Sequence, residues 1–204
     1  KTISPMTFKK LGDSLLNLMD YLKIEQAHLV GHSMGGMIAQ QTIAVSEARF
    51  KSATLSATSP AFGKPDGDFQ KHFIKARLKP LEDGLTMVDL ASKQVPSMVG
   101  DKPDPRGLDL AYTSMSRVSP DTFTASMHCL VTFDRRDNLN SIKIPTLLVS
   151  GDRDTNAPAP MMEKMAGKIP GSTYVCIAGA GHLSNMERPG EFDLVLRNFL
   201  QNIK

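Results

Sequence analysis

The sequence predicts an α/β fold built on a parallel sheet with a helical insertion, and three observations carry that expectation. Short strand-like runs alternate with helical stretches at both ends of the chain, the pattern of βαβ units. The turn Gly31-His32-Ser33-Met34-Gly35 joins one such strand directly to a helix. Two further polar turns, Asp152–Pro158 and Ala178–His182, each follow a strand. Chain sense and handedness then set the turns that follow the strands along one edge of the sheet.

The first element is a helix. Thr7 is its candidate N-cap, and Phe8, Leu11, Leu15, Leu18, Met19 and Leu22 recur on one stripe at helical spacing. Ala27 to Ser33 reads as a short buried strand ending in glycine and small polar residues. A second helix starts at once with Met34 and runs to about Ser46. Lys51 to Ser56 is another strand, closed by the breaker Ser59-Pro60.

From about residue 60 to 140 the character changes. Prolines recur (Pro65, Pro80, Pro96, Pro103, Pro105, Pro120) and the segments between them have helical patterns. Phe69, Phe73, Ile74 and Leu78 make one stripe, and Leu81, Leu85, Val88 and Leu90 suggest another. Leu108 to Met115 and Pro120 to Val131 are two more candidate helices. The expected organisation is a core formed by residues 1–59 and 141–204, interrupted by a helical insertion at 60–140. The alternation then returns: strand Pro145–Ser150, helix Pro158–Lys168, strand Thr173–Ile177, and helix Glu191–Ile203 opened by Pro189.

Composition narrows the function classes. The 204 residues include 41% hydrophobic and 22% charged side chains, ordinary for a globular chain with a buried core. Twenty-four basic against 21 acidic residues give a formal charge of +3, spread along the sequence, so neither nucleic acid nor an anionic membrane is an expected partner. No apolar run approaches the roughly 18 residues needed to span a bilayer. Cys129 and Cys176 form no metal cluster or disulfide framework and read as free thiols in a reducing, cytoplasmic setting. Zinc patterns, P-loops and dinucleotide fingerprints are missing, so no cofactor and no metal is expected.

Gly31-His32-Ser33-Met34-Gly35 matches G-x-S-x-G. A turn this sharp strains the serine backbone and requires small flanking residues. It exposes the Ser33 hydroxyl beside a helix N-terminus, where developing negative charge is favoured. A plain glycine-rich turn with a solvated serine is the alternative. A nucleophilic serine needs a base, and the base an orienting acid. His182 and either Asp152 or Asp154 stand beyond strand ends on the same edge, in the order Ser, acid, His. The aspartates also suit the cap of the helix near Pro158, and a lone histidine in a glycine-rich loop is often surface filler. His32 beside the serine reads as a locally bonded residue, and His28, His72 and His128 lack ligand-type neighbours.

GHSMGG, PTLLVSGDRD followed by Pro158, and GAGHLSNMERPGEF together resemble the motifs of the α/β-hydrolase superfamily. Within it they are similar to cap-bearing esterases and 3-oxoadipate enol-lactonases. The resemblance covers about residues 7–203 and implies an α/β-hydrolase fold with the insertion as a cap. It selects Asp154, third after the glycine of G-x-x-D, as the acid. It also implies a small ester or lactone as substrate, with the Met34 N–H as one oxyanion donor. Enol-lactone or carbon–carbon bond hydrolysis by the same residues is the nearest rival. Serine at position 33, where haloalkane dehalogenases carry aspartate, argues against carbon–halogen chemistry.

Members of this superfamily have several strands and an HG-type segment before the serine turn. Here one helix precedes it, and the chain begins at Lys1. A chain lacking the first strands is therefore expected, with an open edge on the Ala27–Ser33 strand that invites pairing with another chain. An inactive fragment or binding module with an incomplete oxyanion hole is the reading from a different class. Met87, Met98, Met115, Met127, Phe123 and Phe133 either line the substrate pocket or form the insertion's own core. Arg135 and Arg136 are either carboxylate binders or a solvated pair.

Overall fold

The computed structural model describes residues 5–64 and 66–203. Lys1, Pro65 and the limit at Lys204 lie outside the described residues. The first helix, α1 (Phe8–Tyr21), begins where Thr7 accepts the Lys10 amide at 3.2 Å, the cap expected of that residue. It is followed by β1 (Ala27–His32), α2 (Met34–Ser46) and β2 (Phe50–Ser56).

Four helices then intervene: α3 (Asp68–Glu82), α4 (Met87–Met98), α5 (Pro105–Ser116) and α6 (Pro120–Leu130). The alternation resumes with β3 (Thr146–Gly151), α7 (Ala159–Ala166) and β4 (Thr173–Ile177). The short α8 (Ser184–Glu187) and the terminal α9 (Pro189–Gln201) complete the chain.

The four strands form one parallel sheet in the order β1-β2-β3-β4. Side chains alternate across it as strand geometry demands. Leu148 of β3 points into a cluster with Ile43, Leu55, Met162 and Met165, so α2 and α7 cover that face. Its neighbours Leu147 and Val149 point the other way, onto Ile177 and Phe192 beneath α9. Each such fully buried aliphatic side chain contributes about 1.5–3 kcal/mol relative to exposure. Because all strands run the same way, the turns after β1, β3 and β4 open on one edge.

The apolar stripe of α1 is only partly buried: Phe8 and Met19 are inside, while Leu18 and Leu22 are 54% and 53% exposed. Periodicity marked an apolar face, and among the described residues nothing covers its outer half. The stripe Leu81–Leu90 is not one helix. Gly84 takes φ +88°, and Thr86 with Asp89 forms a capping box that starts α4 afresh. Pro80 and Pro96, read as breaks, sit inside α3 and α4 near their ends. Each lacks an amide N–H and so leaves one carbonyl of the preceding turn without its intrahelical bond.

The helices of the middle segment pair as α3 with α6 and α4 with α5. Leu78, Met87, Leu90 and Phe123 make their shared core. A second cluster, Val95, Ala111 and Leu183, joins this segment to the turn after β4.

Candidate active site

Ser33 stands between β1 and α2 with φ 52° and ψ −118°, a left-handed conformation that L-residues adopt only under constraint. The constraint is visible. The Ser33 amide donates to Ser56 O at 2.9 Å, and Thr58 Oγ1 donates to Ser33 O at 2.7 Å.

The flanking glycines divide the steric work unevenly. A Cβ on Gly31 would lie 2.5 Å from Gly35 O, and one on Gly36 would lie 2.6 Å from the Thr58 side chain. A Cβ on Gly35, the second glycine of the motif, would meet nothing within 4 Å. Gly31 in the motif and Gly36 outside it are the two that must be small.

The three side chains named from sequence meet. His182 Nε2 lies 3.0 Å from Ser33 Oγ, and His182 Nδ1 lies 2.8 Å from Asp154 Oδ2. An ionised carboxylate only accepts, so Nδ1 carries the proton and Nε2 is left to accept from the serine hydroxyl. Asp154 Oδ1 accepts the amides of Asn156 at 2.7 Å and Ala157 at 3.0 Å, which precede α7, so it fixes its own turn and does not cap that helix, whose N-cap is Pro158. Burial pushes the Asp154 carboxyl up. The hydrogen bond from His182, attraction to its ring and the two amides outweigh burial and hold it below its ordinary value. Asp152 does something else: its Oδ1 accepts the Gly179 amide at 2.7 Å and fixes the turn after β4 from outside.

Sequence reasoning overlooked Glu187. Its buried carboxylate accepts the amides of Gly181 and Leu183, both at 2.9 Å, and so grips the residues on either side of His182. It also accepts the Gly100 amide at 2.6 Å, while the His182 amide donates to Met98 O at 2.7 Å. The end of α4 is thus tied to the histidine turn. His32 does not touch Ser33 as a base; its Nε2 donates to the His182 carbonyl at 2.7 Å. Met34 is the first residue of α2, so its amide is one of those without an intrahelical acceptor.

Ser33 and His182 open into a cavity of about 680 Å³, roofed by residues of α3, α4 and α6. Met98, Phe123 and Met127 line it, as the pocket reading expected. Met87 and Met115 pack within the core of the middle segment, and Phe133 packs on Phe8 beside α1. Arg135 and Arg136 do not line the cavity. The Arg135 guanidinium binds Gln41 Oε1 from Nε at 3.0 Å, and the exposed Arg136 pairs with Asp134. Among the described residues no group of histidine, cysteine or acidic side chains is arranged to hold a metal, and no helix is long and apolar enough to cross a membrane.

Known proteins are similar to this chain over most of its length. The chain is 31% identical over 207 residues to 3-oxoadipate enol-lactonase 1 of Acinetobacter baylyi, covering 99% of this chain and 74% of that protein. It is 25% identical to a pimeloyl-[acyl-carrier protein] methyl ester esterase of Vibrio parahaemolyticus, covering 87% of this chain and 71% of that protein. The crystal structure of an enol-lactonase from Burkholderia xenovorans superposes with a TM-score of 0.84 at 26% identity, covering 99% of this chain and 76% of that one. The parallel sheet, the sharp turn at Ser33 and a match to the alpha/beta hydrolase fold over residues 1–189 agree: the chain belongs to the α/β-hydrolase family.

Proposed function

We propose that this α/β-hydrolase cleaves a small carboxylic ester or lactone through an acyl-enzyme on Ser33. The observation that carries the reading is the continuous line of hydrogen bonds from Ser33 Oγ through the His182 ring to Asp154, opening on an apolar cavity. The relatives named for lactone and ester hydrolysis support the same class.

In the proposed sequence of steps, Ser33 Oγ attacks the substrate carbonyl while His182 Nε2 takes the hydroxyl proton. The oxyanion develops toward the Met34 amide at the N-terminus of α2. Collapse of the tetrahedral species breaks the acyl–oxygen bond, and the leaving oxygen takes the proton from His182. In a lactone that oxygen stays tethered to the acyl group. Water, deprotonated by His182, then releases the acid and restores Ser33. Asp154 accepts from Nδ1 throughout and stabilises the charged ring. The segment 60–140 is proposed to act as a cap, setting the shape of the pocket. Enol-lactone or carbon–carbon bond hydrolysis uses the same groups and is the rival within the class.

Labelling with a fluorophosphonate probe tests the reading. One adduct on Ser33, lost in Ser33→Ala, is expected; equal labelling of the variant would refute it.

Among the described residues no strand pairs with the outer side of β1, and this motivates a second reading. Val30 of this strand is 48% exposed, and the edge offers unpaired backbone to a further strand. We propose that another chain pairs there, and that without a second oxyanion donor the isolated chain is a weak or inactive module. Removing one such donor typically costs about 10²–10³ in turnover. Full esterase turnover by a chain that sediments as a monomer would contradict this second reading.

A further inference from the structure

We infer that Arg77 is the residue that selects substrates, and that it selects those bearing a carboxylate remote from the scissile ester. The inference rests on the hydrolase reading of the Ser33 site and adds the class of acyl group that the cavity accepts. Arg77 lies on α3 and, apart from His182, is the one side chain able to carry charge among those lining the cavity, which include no aspartate or glutamate. Among the described residues it makes no ion pair, unlike the guanidinium groups of Arg106, Arg136 and Arg153, each paired with an aspartate. Its Nη1 donates to Gln94 Oε1 at 3.1 Å, and its guanidinium carbon lies 5.3 Å from the centre of the Phe73 ring.

Gln94 and Phe73 line the same cavity. Two neutral neighbours on α3 and α4 therefore hold the guanidinium plane in place without neutralising it. Such a fork, fixed at an apolar wall and lacking an acid, suits a ligand carboxylate, which it meets with paired, charge-assisted hydrogen bonds. A neutral acyl chain in the same place would leave the fork without a partner. The products are then dicarboxylic acids, and the reaction that supplies the substrate must make half-esters or lactones of such acids.

The test compares monomethyl glutarate with its neutral isostere, the methyl ester of glutaramic acid. Wild type is expected to favour the acid in kcat/KM, and Arg77→Met to collapse that preference roughly ten- to a hundred-fold. Arg77→Glu is expected to reverse the preference toward a methyl ester with an ammonium tail, which a merely damaged fold would not do. No preference in wild type, or a preference untouched by both substitutions, overturns the inference.

Calorimetric binding of glutaramate against glutaramide reads the same selectivity without turnover, with Arg77→Met expected to abolish the difference. Fluorophosphonate labelling reads Ser33 alone. A labelled protein indifferent to charge at Arg77 condemns the inference and leaves the hydrolase reading standing.

Discussion

His32 Nε2 donates to the backbone carbonyl of His182 at 2.7 Å, so the residue beside the proposed nucleophile braces the turn that carries the proposed base. The two rings sit 5.1 Å apart, tilted at 59°. Burial holds the His32 ring below its ordinary value of 6.5, despite the hydrogen bond to His182. Below 6.5 the unfolded chain takes up a proton that the folded ring refuses. Stability therefore falls as pH drops from 6.5 toward the lower folded value. His32→Gln is expected to cost about 1 kcal/mol in mildly alkaline buffer. That cost should shrink as the pH falls below 6.5, measured by urea denaturation of both proteins across the range. A constant gap would show that the ring does not titrate as its burial implies.

Asp154 and Asp152 separate by what their carboxylates touch. Asp154→Asn removes the acceptor that fixes the His182 tautomer and is expected to lower kcat by about 10⁴. Asp152→Asn keeps an oxygen that accepts the Gly179 amide and loses only its charge, so it should cost tenfold or less. Because the folded Asp154 carboxyl lies below its ordinary 3.8, the stability it contributes is present above that value and is lost as the pH falls through the folded one. Asp154→Asn should therefore unfold with a weaker acid limb than wild type.

Glu187→Gln replaces an acceptor of three backbone amides with a group that also donates. At least one amide then faces a donor. A loss of about 1–3 kcal/mol in stability is expected. Turnover should also fall with little change in KM, since His182 shifts while the cavity walls stay. Steady-state kinetics beside thermal melts would check the pair of effects, and a KM-only defect would contradict the positioning role.

The serine turn gives a discriminating set of glycine substitutions. Gly36→Ala and Gly31→Ala drive a methyl group into Thr58 and into the backbone at Gly35, and both should destabilise. Gly35→Ala points into open space within a helix and should leave stability unchanged or raise it by about 0.4–1 kcal/mol. Melting temperatures of the three variants measure this directly. A Gly35→Ala protein as unstable as Gly36→Ala would mean that the motif, and not the packing seen here, sets the requirement.

The strands were legible because each is a short apolar run bounded by turn residues, and the turn at Ser33 because its glycines punctuate a strand-to-helix junction. His182 and an acid at 152 or 154 were legible from order and from position after strands; the resemblance to the family chose Asp154 between the two. Glu187 was not legible, since it acts on backbone amides, and those contacts leave no side-chain spacing to read. Arg77 was hidden for a different reason. A cation on an amphipathic helix reads as a solvated face until the neighbouring helix brings Gln94 beside it. Periodicity likewise marked Leu18 and Leu22 as apolar without showing what, if anything, covers them.

The central claim is covalent, and trapping the intermediate tests it most directly. Rapid acid quench during turnover of a slowly deacylating ester, followed by peptide mass analysis, should find the acyl mass on the peptide that contains Ser33. The adduct should vanish in Ser33→Ala. Turnover that proceeds with no adduct, or with the acyl group on another side chain, would contradict the account.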